Sequence, residues 1–262
     1  MDIYFYTVIA ILIAVEILRS KGKKQDVDIK QIASNVGCVV LLAVSQPLTE
    51  LSYMPIFTWL MQHPILTLSV WPAWIQYFTA LVILDFTVYC MHRLQHAAPI
   101  FWATHAIHHQ ATQMNLSVAL RHSALGFWFI WLAAAPLLIF SFDRDVIIAT
   151  LLCHRIYDSL MHSSISIGFG KLEYLLTSPK LHRVHHGYED IYRNKNFANV
   201  FIVFDRLFGT FQAPLDEHLP IGINQKKGTI YNPVWANIEP YVQLLKVKKL
   251  KQLFSFTENK QD

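Results

Sequence analysis

The chain has 262 residues, 53% of them hydrophobic and only 15% charged, with a formal net charge of +4. Soluble domains carry about 25% charged residues, so this composition excludes disorder, coiled coils and an ordinary soluble surface, and the mild charge excludes a polyanion binder. It points to an integral membrane protein with an unusual polar signature, because eight of the 13 histidines fall in three short clusters.

A membrane-spanning helix needs about 20 apolar residues, and four or five segments approach this. Residues 3–18 are apolar except for Glu16. They lack a basic leader and a small-residue cleavage site, so they read as a retained first helix rather than a signal peptide. Residues 32–60 form the second, where Gln46-Pro47 and Glu50 predict a kink or an interfacial turn. The third covers about 66–91, with Pro72 early and Asp85 late. The fourth covers 124–142. The fifth, 146–161, is short and carries His154, Arg155 and Asp158, which belong against protein or a wet cavity rather than lipid. Cys38, Cys90 and Cys153 all lie in apolar stretches without a CxxC and read as buried thiols. No repeat or low-complexity tract appears, and the last ten residues read as a frayed polar end.

The fold class is therefore all-α, a multi-pass membrane bundle of about 4–5 transmembrane helices. Lys and Arg set its orientation. Arg19, Lys21, Lys23, Lys24 and Lys30 follow the first helix, residues 61–71 carry none, and the chain after Lys171 ends in Lys246, Lys248, Lys249 and Lys251. With the N-terminus outside and the C-terminus inside, helices four and five make an out-and-back hairpin. All three histidine clusters then share the cytoplasmic face.

The clusters are His92-Arg-Leu-Gln-His96, His105-Ala-Ile-His108-His109 and His182-Arg-Val-His185-His186. Residues three and four apart share a helix face, so each HxxHH is expected to aim three imidazoles at one point. Imidazole binds iron, zinc, copper and nickel. Eight imidazoles exceed what one ion takes and suit two adjacent ions. A lone helix-end histidine is usually a surface residue. Clustered beside apolar helices, histidines carry a desolvation cost that needs a compensating partner.

The order HxxxH, HxxHH, HxxHH resembles the fatty acid hydroxylase/sterol desaturase superfamily of membrane histidine-cluster di-iron oxygenases. The flanks agree: Asp85 to Arg93 looks like a D-x-x-x-Y-x-x-H-R lead-in, and Trp102-Ala-Thr-His105 like a W-x-x-H approach. Asn115-Leu-Ser-Val-Ala-Leu-Arg121 is similar to a segment of the alkylglycerol monooxygenase-like branch. Ser178 to Gly187, Asn196-Phe and Phe204 to Phe211 resemble the closing motifs. Ala198 and Phe204 stand where the family often has Gly and Trp, and His122 where the branch tends to have Gln; His122 is given no role, and His63 and His218 read as incidental. The resemblance covers residues 80–212 of a single 1–262 membrane domain, with N-terminal helices in 1–79 and a cytoplasmic tail in 213–262.

The resemblance implies two iron ions held by His92, His96, His105, His108, His109, His162, His182, His185 and His186, with zinc able to replace iron in isolated protein. His162 enters as a ninth ligand at the end of the fifth helix; the alternative is a helix-end histidine bonded to a backbone carbonyl. Asp85, Asn115, Arg121, Asp158, Asn196 and Asp205 are candidates for the surrounding shell, since metal-bound imidazoles usually have outer partners. Asp158 is assigned to orient His162. Asp85 is expected to take a ligand N–H or to pair with Arg93 or Arg121. The arginines Arg93, Arg121 and Arg183 are expected to hold carboxylates such as Asp85 and Asp205, with interfacial phosphate as their rival partner. Asn115 and Asn196 either bond ligands or cap helices.

The activity this implies is oxygen-dependent hydroxylation of a lipid or sterol-like substrate, with dioxygen as co-substrate. Desaturation at the same centre is the near alternative; a zinc-binding membrane hydrolase or a metal-handling transporter are more distant ones. A transporter would spread its ligands across the membrane midplane, and a hydrolase usually has a nearby Glu base, which the clusters lack. No G-x-G-x-x-G, P-loop or haem signature is present, so electrons are expected from a separate reductase or small-molecule donor. No nucleic acid partner is expected. A bacterial inner membrane is favoured over an endoplasmic reticulum.

Overall fold

The computed structural model describes residues 2–21, 27–216, 219–224 and 228–258. Lys23, Lys24 and His218 lie outside the described residues, as do the side chains of Lys248, Lys249 and Lys251. The five apolar segments are helices: α1 (Asp2–Ser20), α2 (Ile29–Gln62), α3 (Ala73–Ala97), α5 (Phe127–Ile139) and α6 (Arg144–Met161). Between and after them come α4 (Pro99–His109), α7 (Pro179–His185), α8 (Val203–Leu207) and α9 (Pro233–Glu258). No strand occurs among the described residues; Gly187 and Ile221 form one isolated antiparallel bridge.

α2 and α3 are long and apolar enough to cross a membrane. The interfacial turn offered as one outcome at Gln46-Pro47 does not form. α2 runs for 34 residues through Pro47 and Pro55, about 51 Å at 1.5 Å per residue. Thr49 turns its hydroxyl back onto the Gln46 carbonyl at 2.8 Å, as hydroxyl residues do near membrane prolines. Residues 66–71, expected to begin the third helix, instead form the turn before α3. Apolar character alone does not separate a buried turn from a helix, and Pro72 supplies the N-cap. α5 has 13 residues, or about 20 Å, too short to cross a bilayer core of about 30 Å.

The two chain reversals lie side by side. The α2–α3 turn donates from Ile65 N to Ile139 O (2.9 Å) and from Ser69 N to Ser141 O (3.0 Å). Gln76 joins them through its amide to Asp143. α5 packs between α2 and α3, and α6 packs on α3 and α1. The α3–α5–α6 core contains Ala80, Leu84, Leu137, Phe142 and Val146. Tyr53 stacks on Trp131 at 4.7 Å and fixes α2 against α5. The outer faces stay apolar: Val44, Leu48 and Leu51 on α2 and Trp74 and Phe78 on α3 are exposed, as lipid-facing positions should be. Cys153 is exposed too, contrary to the buried reading, while Cys38 is buried. Position in an apolar run does not report which helix face a residue occupies.

At the opposite end of the bundle, α9 packs on α4 and α2. Ala236 is fully buried with Cys38 and Ile107, so part of the expected tail belongs to the packed body. Glu16 interrupts α1 for a structural reason. It is buried, and its carboxylate accepts the Leu116 N–H at 2.9 Å and the Ser164 N–H at 2.7 Å. It joins α1 to the segments that follow α4 and α6. Glu16→Ala leaves both buried donors bare, at about 1–3 kcal/mol each. The expected outcome is a lower thermal unfolding midpoint in detergent, with Glu16→Gln recovering part of the loss.

Candidate metal centre

Four helices end at one place. His92 and His96 lie in the last two turns of α3, and His105, His108 and His109 in the last two turns of α4. His162 is the C-cap of α6; His182 and His185 close α7, with His186 as its C-cap. α7 is set up locally. Ser178 accepts the Leu181 N–H, and Pro179 occupies the first helical position, where its missing N–H costs nothing. Gly187 follows because nothing larger fits: a Cβ there would lie 2.8 Å from Tyr192 Cβ and 2.9 Å from the Val184 carbonyl.

The nine imidazoles sort into two groups. His92, His96, His105, His109 and His185 form one; His108, His162, His182 and His186 form the other; within each, the facing nitrogens lie within 4.8 Å of one another. All nine residues proposed from the sequence are therefore brought together. The division differs from the expectation that each HxxHH serves one point. His105 and His109 share a group while His108 joins the other; His182 and His186 share a group while His185 joins the first. Residues i and i+4 align along the helix, whereas i+3 is rotated by about 60° from i, enough to face a neighbouring ion.

The donor chemistry fits two metal ions. His92 Nδ1 donates to the Phe197 carbonyl at 2.8 Å and His162 Nδ1 to the Asp158 carbonyl at 2.8 Å. A carbonyl only accepts, so each neutral ring turns its Nε2 lone pair inward. The inward nitrogens crowd together: His92 to His105 at 2.9 Å, His105 to His109 at 3.1 Å, His108 to His162 at 3.1 Å and His162 to His182 at 3.0 Å. Lone pairs this close together are stabilised by a shared cation. His185 Nε2 and both nitrogens of His186 are buried without a protein partner, a costly state unless a cation takes the lone pairs. Burial, reinforced by neighbouring imidazoles, holds His105, His108, His109, His182, His185 and His186 well below the ordinary histidine range. They are kept neutral, as ligands must be.

The six residues proposed for the surrounding shell act mainly through the backbone. Asp205 is fully buried and accepts from Phe197 N, Ala198 N and Thr210 Oγ1. Burial pushes its carboxyl up from the ordinary range, and these donors oppose the shift. Asp85 accepts from Val200 N, Phe201 N and His154 Nε2, and none of its hydrogen bonds goes to a ligand N–H, Arg93 or Arg121. Asn196 bonds Leu181 O and Gln212. Asn115 caps the 3₁₀ turn Leu116–Leu120 through Ser117 N. The Asp158 group that orients His162 is its carbonyl, not the carboxylate expected. Arg121, completely buried, donates to Ile107 O, Ser34, Asn35, Ile230 O and Gln110. Arg183 donates to Ser163 O and Ser164 O, and Arg93 to the Tyr89 hydroxyl. Among the described residues these hydrogen bonds go to backbone carbonyls, hydroxyls and amide oxygens rather than to Asp85 or Asp205. His63 bonds Trp59 O at the end of α2, in keeping with an incidental role.

A cavity of about 240 Å³ leads to both groups. His92, His105, His108 and His182 stand at its inner wall, and Phe5, Leu42, Leu84 and Leu151 line its apolar part. His154, Arg155 and Asp158 also line it, which explains three polar residues in one short helix. So does His122, to which the sequence reading gave no role. Its ring lies parallel to that of His108, 5.8 Å away. Its only sequence signal is an additional histidine beside Arg121; spatial proximity, not spacing, reveals it.

The fatty acid hydroxylase family model matches residues 77–210. Human alkylglycerol monooxygenase is 37% identical over 137 residues, 52% of this chain and 31% of that protein. The ornithine lipid hydroxylase of Rhizobium tropici is 30% identical over 195 residues, 70% of this chain and 54% of that protein. A Delta(7)-sterol 5(6)-desaturase of Gibberella zeae is 26% identical over 153 residues, 55% of this chain and 45% of that protein. This chain thus spans about a third to about half of these relatives' lengths. No solved structure gives a significant match. With its family match spanning about half the chain and enclosing all nine converging histidines, the protein belongs to the fatty acid hydroxylase family.

Proposed function

We propose that this protein is a membrane-embedded di-iron lipid hydroxylase, which inserts one oxygen atom from dioxygen into a C–H bond of a lipid or sterol-like substrate. The observation that carries the reading is the pair of imidazole groups, five and four, at the inner end of an apolar cavity. The relatives named as an alkylglycerol monooxygenase and an ornithine lipid hydroxylase support it. In this reading the nine histidines are the metal ligands, residues 1–262 act as one membrane domain, and four or five helical segments enter the bilayer. The basic residues Arg19, Lys21 and Lys30 favour a cytoplasmic face for the centre, in a bacterial inner membrane.

When bound, the irons supply oxygen activation and hydrogen abstraction, which no side chain can perform. The chain's own residues do the rest. Phe5, Leu42, Leu84 and Leu151 hold an acyl or sterol-like body and exclude water from the reacting carbon. Asp158 and His122 offer polar contacts at the inner end of the cavity, where the substrate's polar group or a water can be held. The Phe197, Lys195 and Asp158 carbonyls accept hydrogen bonds from the Nδ1–H groups of His92, His185 and His162 and leave the Nε2 lone pairs to the positions the ions would occupy. No nucleophilic side chain is required. Electrons come from a separate reductase or small-molecule donor.

Protein purified in mild detergent from iron-enriched cells is expected to hold about two irons per chain, coupled in its Mössbauer spectrum; two zincs that iron cannot replace would overturn the reading. His108→Ala and His185→Ala each remove one ligand, from different groups. Each is expected to abolish formation of the lipid product carrying one extra oxygen atom, with membrane insertion intact. Lipid analysis of cells expressing each form checks this, and a product lacking two hydrogens instead would establish desaturation.

A further inference from the structure

One loop orients two rings of the five-histidine group. The Lys195 carbonyl takes His185 Nδ1 at 2.9 Å, and the Phe197 carbonyl takes His92 Nδ1 at 2.8 Å. The other group is held differently: His162 Nδ1 bonds a carbonyl of its own helix, and His108 Nδ1 and His182 Nδ1 have no protein partner.

The loop is not in a relaxed conformation. Asn194 (φ 59°) and Asn196 (φ 53°) are in the left-handed region on either side of Lys195, where only a surrounding structure that over-determines the backbone keeps non-glycine residues. That structure is present. Asp205 gathers Phe197 N at 2.8 Å and Ala198 N at 2.9 Å. Asp85 gathers Val200 N at 2.9 Å and Phe201 N at 2.7 Å. Thr177 holds the Ala198 carbonyl. The Asn196 side chain ties the loop to Leu181 and Gln212.

We propose that residues 194–201, anchored by Asp205 and Asn196, are a clamp dedicated to the five-histidine ion. The clamp sets how tightly that ion is retained, whereas no ring of the four-histidine group bonds its carbonyls. This rests on the two-ion reading above. Asp205 and Asn196 are positioning residues: they act through carbonyls on ligand rings. Asp205→Asn keeps the shape of the side chain but turns an amide N–H toward one of the two backbone N–H groups. Asn196→Gly keeps the left-handed backbone accessible and removes only the side-chain ties.

The test uses the full chain in detergent, loaded with enriched iron and dialysed against a chelator, with iron content and Mössbauer spectra recorded. Loss of an outer partner typically weakens metal binding 10–100-fold, so Asp205→Asn is expected to drop from about two irons to about one. The remaining iron should lose its magnetic coupling while the protein stays monodisperse and helical. Asn196→Gly should move the same way by less. His162→Ala should lose the opposite ion, and the double variant Asp205→Asn/His162→Ala should hold almost none. Wild-type iron content with a coupled spectrum in both clamp variants would overturn the clamp, as would equal loss of both ions. Fewer than two metal ions in the wild type would instead overturn the two-ion reading.

Discussion

Everything at the centre of this molecule follows from burying a ring that has one proton to give and one lone pair to place. In a low-dielectric interior both ends of a neutral imidazole need a partner. The fold supplies carbonyls for the protons of His92, His162 and His185. It leaves lone pairs converging on two points. Nine rings arranged this way repel one another if protonated and are unsatisfied if neutral and empty. Two cations resolve both problems at once.

That demand explains the polar residues scattered through otherwise apolar helices. Glu16, Asp85, Asp205 and Arg121 are all buried, and each spends its charge on backbone groups or neutral side chains. Glu16 holds the starts of the segments after α4 and α6; Arg121 holds the Ile107 carbonyl beside His108. The effect is to fix main-chain segments whose own carbonyls or side chains meet the metal groups. Rigidity at the ligands is thus supplied two bonds away, from residues that never approach the ions.

Much of this was legible in the sequence. The five apolar helices and the nine histidines follow from hydropathy, spacing and family resemblance. The polar residues at the C-terminal part of α6 announced a cavity. What was not legible depended on the third dimension. Spacing places His105, His108 and His109 near one helix face, but the 60° between i and i+3 decides between one ion and two only once a second helix sets the distance. Asp85 and Asp205 were recognised as important without their partners, because backbone N–H groups leave no trace in a sequence. The turn at residues 66–71 and the exposure of Cys153 were missed because apolar runs do not record where a helix begins or which way it faces. His122 was missed because a lone histidine carries no spacing signal.

The helix directions have a consequence for how the protein is made. α3, α4, α6 and α7 all bring their C-terminal ends to the centre, and each such end carries about half a negative charge from its free carbonyls. Before metal arrives, four negative poles and a ring of lone pairs face one another, and the bundle head resists closing. On the two-ion reading, a divalent cation pair would turn that mutual repulsion into attraction. The final ligands and the clamp behind them stand at residues 182–205, late in the chain. On the two-ion reading, metal capture completes the head only once the chain through residue 186 is in place.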